Sequence, residues 1–329
     1  MAERTSSKGS NERDVAVLIA ARNAERTIGR AVRSALAEPE ARQVVVVDDG
    51  STDATAAVAR AAAAGSGRLL LRRLPISGGP SAARNLAMNL SDAPWVCPLD
   101  ADDYFQQGRL RRLLDQADGC DVIADDILML REGAEHEPPR RMIGAREPLP
   151  RLLDFTAFVE GNISRPGRPR REYGFLKPLM RRSFLARRGL AYDERLRLGE
   201  DFLLYSLALA HGARFKVVEP CGYVAIERAG SLSGRHTTQD LQALSAASAA
   251  LKLLPGLSAR ERLAARRHER LVRAKVDLRE VLDARRSGGV VRGLLAIAAR
   301  LDNAAYIFAR MAEDKWGALG ARRAAASGA

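Results

Sequence analysis

The chain has 329 residues, 47% apolar and 28% charged, enough to bury a large core in one big domain or two. Fifty-three Lys plus Arg against forty acids leave a formal charge of +13 and a pI near 10.3. That excess points to a polyanionic partner, an anionic membrane face or a phosphorylated substrate, although an Arg-rich composition alone produces the same charge. Aromatics are only 5%, without basic–aromatic interleaving or zinc-finger spacing, which speaks against nucleic acid, and no run of about 18 apolar residues offers a membrane span.

Met1–Ser10 has no apolar core like that of a signal peptide, so the expected location is the cytosol. Cys97, Cys120 and Cys221 are odd in number and far apart, as buried thiols of a reducing compartment would be. Residues 1–12 are polar and predict a disordered tail. Val15–Ala21 is then a continuous apolar run of strand length, as in a parallel sheet covered on both faces. Arg22-Asn23 ends it, and residues 24–37 carry Ile28, Val32, Ala35 and Leu36 at helical spacing. Val44–Val47 predicts a second buried strand ending on Asp48-Asp49-Gly50-Ser51, with Ser51 or Thr52 capping an Ala-rich helix over 53–64. A third strand over 68–74 is more polar and belongs nearer an edge. Ser77–Ser81 is a glycine turn with Pro80 at the start of a helix over 81–90. A short strand over 94–99 follows and stops on Asp100, Asp102 and Asp103.

This alternation is the sign of a doubly wound α/β fold, whose sheets bind ligands beyond the carboxyl ends of their strands. Three successive strand ends here carry polar chemistry: Ala21-Arg22-Asn23, Asp48–Ser51 and Asp100–Asp103. Carboxylates packed this closely repel one another unless a cation shares them. Oxygen-only ligands suit a hard divalent ion, Mg²⁺ or Mn²⁺, with positions open for substrate phosphates. The plainer alternative is an acidic turn capping the next helix. No G-x-G-x-x-G follows the first strand and no G-x-x-x-x-G-K-[ST] occurs, which excludes the commonest dinucleotide and ATP sites.

In order and approximate spacing, V-A-V-L-I-A-A-R-N (15–23), V-V-V-V-D-D-G-S-T-D (44–53), G-G-P-S-A-A-R-N (78–85) and L-D-A-D-D (99–103) resemble glycosyltransferase family 2. The resemblance implies the GT-A nucleotide-sugar fold with a mainly parallel central sheet. It implies that Asp49 contacts the base or its ribose, that Asp100 contacts the ribose and metal, and that Asp102 ligates the metal bridging the diphosphate. Arg84 would brace the phosphates or the aspartates, and Ala21 and Asn23 fall among the donor-binding positions. The family often has an aromatic near the end of the first strand to stack on the base. This chain has Ala20, Ala21 and Arg22 there, and the Arg22 guanidinium can stack instead.

Residues 109–117 predict a helix, and 121–130 a strand ending the nucleotide-sugar half, 13–130. Residues 131–147 and 160–174, polar and proline-bearing, are expected to be loops or a lid framing the acceptor in a second half, 131–236. Glu200 and Asp201 precede an apolar helix over 202–211; taken as residues they are a capping pair favoured by the helix dipole. By resemblance they are the family's E-D motif, with Asp201 the base that deprotonates the acceptor hydroxyl. A carboxylate tuned upward by burial suits that task. A strand over 214–219 and then residues 222–227 lead to Arg235 and His236. In related enzymes such residues return to the diphosphate, with His236 here placed among the metal ligands; a lone His is more often structural.

The segments K-P-L-M-R-R-S-F-L (177–185) and G-L-A-Y-D-E-R-L-R-L-G-E-D-F-L-L-Y (189–205) look like those of bacterial exopolysaccharide glucosyltransferases of the succinoglycan type. The Q-x-x-R-W signature of processive synthases is missing, which favours one sugar per encounter. The resemblance implies inverting, metal-dependent transfer from a UDP-sugar, UDP-glucose or a close relative, to a lipid-linked oligosaccharide or polysaccharide. Helices over 239–253, 258–284 and 289–312 predict a helical appendage (237–315) on a catalytic domain (13–236), with a frayed tail at 316–329. Leu257, Ala264, Leu271 and Leu278 recur every seven residues beside Arg260, Arg262, Arg266, Arg267, Arg270, Arg273 and Lys275. The expectation is an apolar stripe turned inward and arginines toward anionic lipid headgroups, on the inner face of the cytoplasmic membrane. Two rivals stand beside this. A sugar nucleotidyltransferase would want a glycine-rich phosphate loop after the first strand. A basic binding module would bind polyanions without regard to Mn²⁺ or UDP.

Overall fold

The structure, a computed structural model, describes residues 11–134, 136–144, 148–164, 171–228 and 236–309. Of the expected tails, only Asn11 and Glu12 fall among the described residues. Val15–Ala21 (β1) and Ala41–Asp49 (β2) pair in parallel, and Val15 to Ile19 and Val44 to Val47 are all 0% exposed, as continuous apolar runs require. Ile28–Leu36 (α1) turns Ile28, Ala31, Val32 and Ala35 inward, one face of a 3.6-residue repeat. Neither Ser51 nor Thr52 caps Thr55–Ala62 (α2). Asp53 accepts the Thr55 N–H instead, and the Ser51 hydroxyl accepts the Asn23 N–H. Leu69–Leu74 (β3) occupies the sheet edge its polarity predicted. Pro80–Asn89 (α3) starts on its proline directly after Gly79, and Trp95–Pro98 (β4) pairs in parallel with β1.

Past the acids come Tyr104–Phe105 (β5), Arg109–Leu114 (α4), Val122–Asp125 (β6), Leu128–Arg131 (β7), Arg140–Arg141 (β8), Arg151–Leu153 (β9) and Phe155–Gly161 (α5). Leu179–Arg181 (β10), Arg182–Arg188 (α6), Glu200–Ala210 (α7), Phe215–Val218 (β11) and Tyr223–Glu227 (β12) follow, then Thr238–Leu251 (α8) and Ala259–Ala298 (α9). The main sheet has eight strands in the order β3-β2-β1-β4-β10-β6-β11-β9. The first four are parallel; β10 enters antiparallel to both β4 and β6, and β9 is antiparallel to β11. A second sheet runs β5-β12-β7-β8.

The single strand expected over 121–130 is two strands in different sheets. Asp125 and Asp126, both 0% exposed, sit at the switch, and each is answered by an arginine. Asp125 takes Arg109 Nη2 at 2.6 Å, and Asp126 takes Arg141 Nε at 2.9 Å. Buried carboxylates demand such partners, and these two fix where the chain leaves one sheet for the other. The polar stretch 131–147 is likewise more than a loop, since Arg140–Arg141 pairs with β7.

The C-terminal helices begin on reciprocal caps, Thr237 with Asp240 and Ser258 with Glu261. The helical run of α9 is broken at Gly288 and Gly289, the latter at φ 74°, where the sequence divides 258–284 from 289–312. Ala264, Ala265, Val272 and Val276 face inward while Arg266, Arg267, Arg270 and Arg273 stay exposed. His268 of α9 stacks on Phe202 of α7 at 4.1 Å between centroids, and Phe202 stacks on Phe158 of α5. The appendage therefore packs directly on the helix that begins with Glu200 and Asp201. No helix of the described residues is long and apolar enough to cross a membrane.

Candidate active site

The ends of β1, β2 and β4 converge, but their residues do different things. Ala21 is buried at the last position of β1. Asn23 takes a left-handed φ of 48°, and its side-chain oxygen accepts the Thr52 N–H at 2.9 Å. Asp49, 4% exposed, accepts from Ser77 Oγ (2.7 Å), Gly78 N (2.7 Å) and Gly79 N (2.9 Å). Its carboxylate thus holds the glycine turn against the end of β2. Next to it, Gly50, Ser51, Arg73, Leu74 and Pro75 line an open pocket.

At the end of β4 the three acids separate. Asp103 is structural: Oδ1 accepts the Ile226 N–H at 3.0 Å and Oδ2 accepts the Tyr223 hydroxyl at 2.8 Å, tying the strand end to β12. Burial, then the charges of Asp100 and Asp102, push its carboxyl up to about 8. Asp100 is held by cations, Oδ1 by Arg84 Nη2 at 2.8 Å and Oδ2 by Lys177 Nζ at 3.0 Å. Burial works against ionisation there, but Lys177 and then Arg84 outweigh it and hold the carboxyl at about 2. Asp102 remains open. Its side chain is 39% exposed, and Arg228 Nη1, 3.4 Å away, is its one ion-pair partner among the described residues. Burial and the neighbouring Asp100 raise its pKa, a repulsion that a divalent cation would relieve.

Across from these acids lies the start of α7. Gly199 precedes it at φ 75°, a conformation glycine adopts at little cost, and this turn presents Glu200 and Asp201 inward. Arg84 Nη1 bonds Glu200 Oε1 at 2.8 Å and stands 3.9 Å from Asp201 Oδ1. Lys177 Nζ bonds Asp201 Oδ2 at 2.7 Å. The two cations therefore link the strand-end acid Asp100 to both acids of α7. Asp201 is 6% exposed, and its buried Oδ1 makes no close hydrogen bond among the described residues, with Arg84 and the Tyr192 hydroxyl as its polar neighbours. Tyr192 completes this wall; its ring lies under the Arg84 guanidinium at 5.4 Å, and burial and then Asp201 push its hydroxyl well up.

Lys177 carried no predicted role. It precedes β10, and the antiparallel register of β10 on β4, Met180 opposite Val96, brings residue 177 to the strand end where Asp100 begins the acidic turn. A parallel α/β pattern gives no reason to expect an inserted antiparallel strand, and so no reason to look there.

Asp49, Asp100, Asp102, Arg84 and Asp201 thus gather along one side of the fold, with Ala21 and Asn23 at the neighbouring strand end. His236 does not join them. Its surrounding charges are Arg279, Asp240 and Lys275 of the C-terminal helices, and burial with the two cations lowers its pKa. Arg235 lies outside the described residues. Among the described residues no three His, Cys, Asp or Glu side chains stand together as a metal site. The donor chemistry that fits Mg²⁺ or Mn²⁺ is the open carboxylate of Asp102, with Asp100 behind it.

Comparisons with known proteins identify the family and the fold. The model of glycosyl transferase family 2 matches residues 16–183. The chain is 52% identical over 279 residues to the succinoglycan biosynthesis protein ExoU of Rhizobium meliloti (strain 1021), covering 85% of this chain and 81% of that one. It is 36% identical over 296 residues to the succinoglycan biosynthesis protein ExoO of the same organism, covering 86% and 81%. Among solved structures, S. aureus TarS 1-349 superposes with a TM-score of 0.61 at 19% identity, over 92% of each chain. TarS 1-349 in complex with UDP-GlcNAc gives 0.60 at 20% identity, over 84% of this chain and 74% of that one. These last two likenesses establish the GT-A fold. The chain belongs to glycosyltransferase family 2 and is a glycosyltransferase.

Proposed function

We propose that the enzyme transfers one hexose per encounter, glucose from UDP-glucose, to a lipid-linked oligosaccharide in exopolysaccharide biosynthesis, with inversion at the anomeric carbon. The observation that carries this is Asp201: a buried carboxylate with one oxygen anchored by Lys177 and the other without a close hydrogen bond, across two cations from the acid-bearing strand end. The names of the succinoglycan relatives support the pathway, and the UDP-GlcNAc complex of TarS supports a UDP-sugar donor.

In this mechanism Asp201 Oδ1 accepts the proton of the acceptor hydroxyl as the hydroxyl oxygen bonds to the anomeric carbon. The bond from that carbon to the diphosphate breaks from the opposite face, so an α-linked donor gives a β-linkage. Mg²⁺ or Mn²⁺ on Asp102, when bound, would offset the charge growing on the leaving diphosphate, an effect typically worth several kcal/mol. Arg84 and Lys177 keep Asp100 ionised, and Asp49 keeps the glycine turn in place beneath the nucleotide. The acceptor's lipid would be met at the C-terminal helices. Val290, Val291, Leu294 and Leu295 are 56–71% exposed beyond the Gly288–Gly289 break, flanked by exposed Arg285, Arg286 and Arg292.

The test is Asp201→Asn. A general base contributes about 100- to 10,000-fold, so the variant is expected to lose transfer of radiolabelled glucose to a membrane lipid extract by that factor. Its thermal shift with UDP and Mn²⁺ should match that of the wild type. Near-full transfer by Asp201→Asn would remove the base assignment, and with it the mechanism.

A further inference from the structure

Lys177 lies outside the four motifs 15–23, 44–53, 78–85 and 99–103, yet like Arg84 it bonds acids on both walls of the site, and it reaches Asp201 directly. Its Nζ is 3.0 Å from Asp100 Oδ2 and 2.7 Å from Asp201 Oδ2, and the side chain is 7% exposed. The backbone below it is pinned from the core, because its carbonyl accepts Arg109 Nη2 at 2.6 Å and Arg109 is itself paired with Asp125. An ammonium fixed at its base and shared by two carboxylates has little freedom left, and both acids keep it charged against the cost of burial.

We propose that Lys177 is a positioning residue that orients Asp201 for proton abstraction, holding Oδ2 so that Oδ1 is turned toward the acceptor hydroxyl. The proposal rests on Asp201 being the base. A carboxylate base works through one oxygen, and its second oxygen must be held if the first is to point in one direction. The structure contains the competing arrangement as well. Arg84 Nη1 stands 3.9 Å from Oδ1, outside hydrogen-bond range while Lys177 holds Oδ2. With Lys177 gone, rotation of the carboxylate toward Arg84 would occupy the oxygen that has to take the proton. Because the same ammonium also bonds Asp100, the base is registered against the strand end that carries the donor acids.

A displacement of about 1 Å at a catalytic group can cost about 100-fold in rate, and that is the loss expected of Lys177→Met at saturating UDP-glucose with a membrane lipid extract as acceptor. UDP affinity in the presence of Mn²⁺, measured by calorimetry, should change by less than about threefold, since the loss falls on the chemical step. Lys177→Arg, which restores a cation, should recover part of the rate. In an Asp201→Asn background, Lys177→Met should remove less than about threefold more, because the lysine acts through a base that is already absent.

The proposal is overturned if folded Lys177→Met keeps its rate within about threefold of wild type, or if the loss appears in KM alone. It is also overturned if the two substitutions multiply independently. Should Lys177→Met not fold, Lys177→Gln carries the same comparison with a neutral donor of similar reach. Loss of transfer in Asp201→Asn with retention in Lys177→Met would remove the positioning role and leave the base. Retention in Asp201→Asn would remove both.

Discussion

Replacing Arg109 with methionine tests the part of the fold that carries the site from beneath. Arg109 and Asp125 are each 0% exposed; Nε and Nη2 reach Asp125 Oδ1 at 3.1 and 2.6 Å, and the guanidinium lies over the rings of Phe105 (4.7 Å) and Tyr223 (5.1 Å). Methionine fills much of the same volume but leaves the Asp125 charge buried and unpaired, which typically costs about 3–5 kcal/mol. Asp125 Oδ2 would still accept the Cys221 and Tyr223 N–H groups at 3.0 and 3.1 Å, so the loss belongs in that range and not beyond it. In domains of 150–250 residues each kcal/mol moves Tm by about 2–4 °C, which makes the expected drop roughly 6–20 °C. Scanning calorimetry of wild type, Arg109→Met and Arg109→Lys at one pH is the assay, with Arg109→Lys intermediate because it keeps the charge but not the fork. A Tm for Arg109→Met within about 2 °C of wild type would refute the claim that this pair anchors β6, the second sheet and the Lys177 carbonyl.

The acids at the end of β4 give stability a pH dependence of known sign. Asp103 titrates at about 8 when folded but near 3.9 unfolded, so its contribution is fully present below pH 4 and is lost as pH rises toward 8. Urea titrations should show Asp103→Asn removing that slope, at most about 1.4 kcal/mol per pH unit; an unchanged slope would contradict the burial argument. Asp100, held at about 2, acts in the opposite sense, supporting the fold above pH 4 and releasing that support as pH falls toward 2. Gly199→Ala places a side chain at φ 75° with its Cβ 2.7 Å from Leu244 Cδ1. A loss of about 1–2 kcal/mol, measured by urea unfolding, together with weakened transfer, is expected from displacing the Glu200–Asp201 turn; a neutral change in both would contradict it. Leu294→Asp with Leu295→Asp should abolish sedimentation with phosphatidylglycerol vesicles while leaving UDP binding intact. Equal binding by wild type and variant, or by neutral and anionic vesicles, would remove the membrane-facing role of that helix.

The first hundred residues announce themselves because β1, β2 and β4 carry continuous apolar runs, the helices have apolar faces, and the turns between carry glycine, proline or acids. Short pieces inserted later escape that logic. β9, β10 and β8 have two or three residues each and are rich in arginine, so no period can be read from them. The run 121–130 looks like one strand because its two interior aspartates, Asp125 and Asp126, are satisfied by arginines distant in sequence. Two acids inside an otherwise apolar run were themselves the available signal that buried cations must meet them. The acids of the site were legible as a set, but their division of labour was not. Asp49 serves the glycine turn, Asp103 serves β12, Asp100 is saturated by cations and Asp102 alone stays open, and each fate depends on partners from another part of the chain. Lys177 is the clearest case. It opens a segment that carries a resemblance but implies no role for the lysine, and only the antiparallel entry of β10 takes it to Asp100 and Asp201.

The most direct measurement of the central claim is anomalous diffraction from crystals soaked with UDP and Mn²⁺. The account predicts a manganese peak at Asp102, the diphosphate on that ion, and the base beside Gly50, Ser51 and Pro75. A nucleotide bound elsewhere, or no manganese at Asp102 with UDP in place, would contradict it.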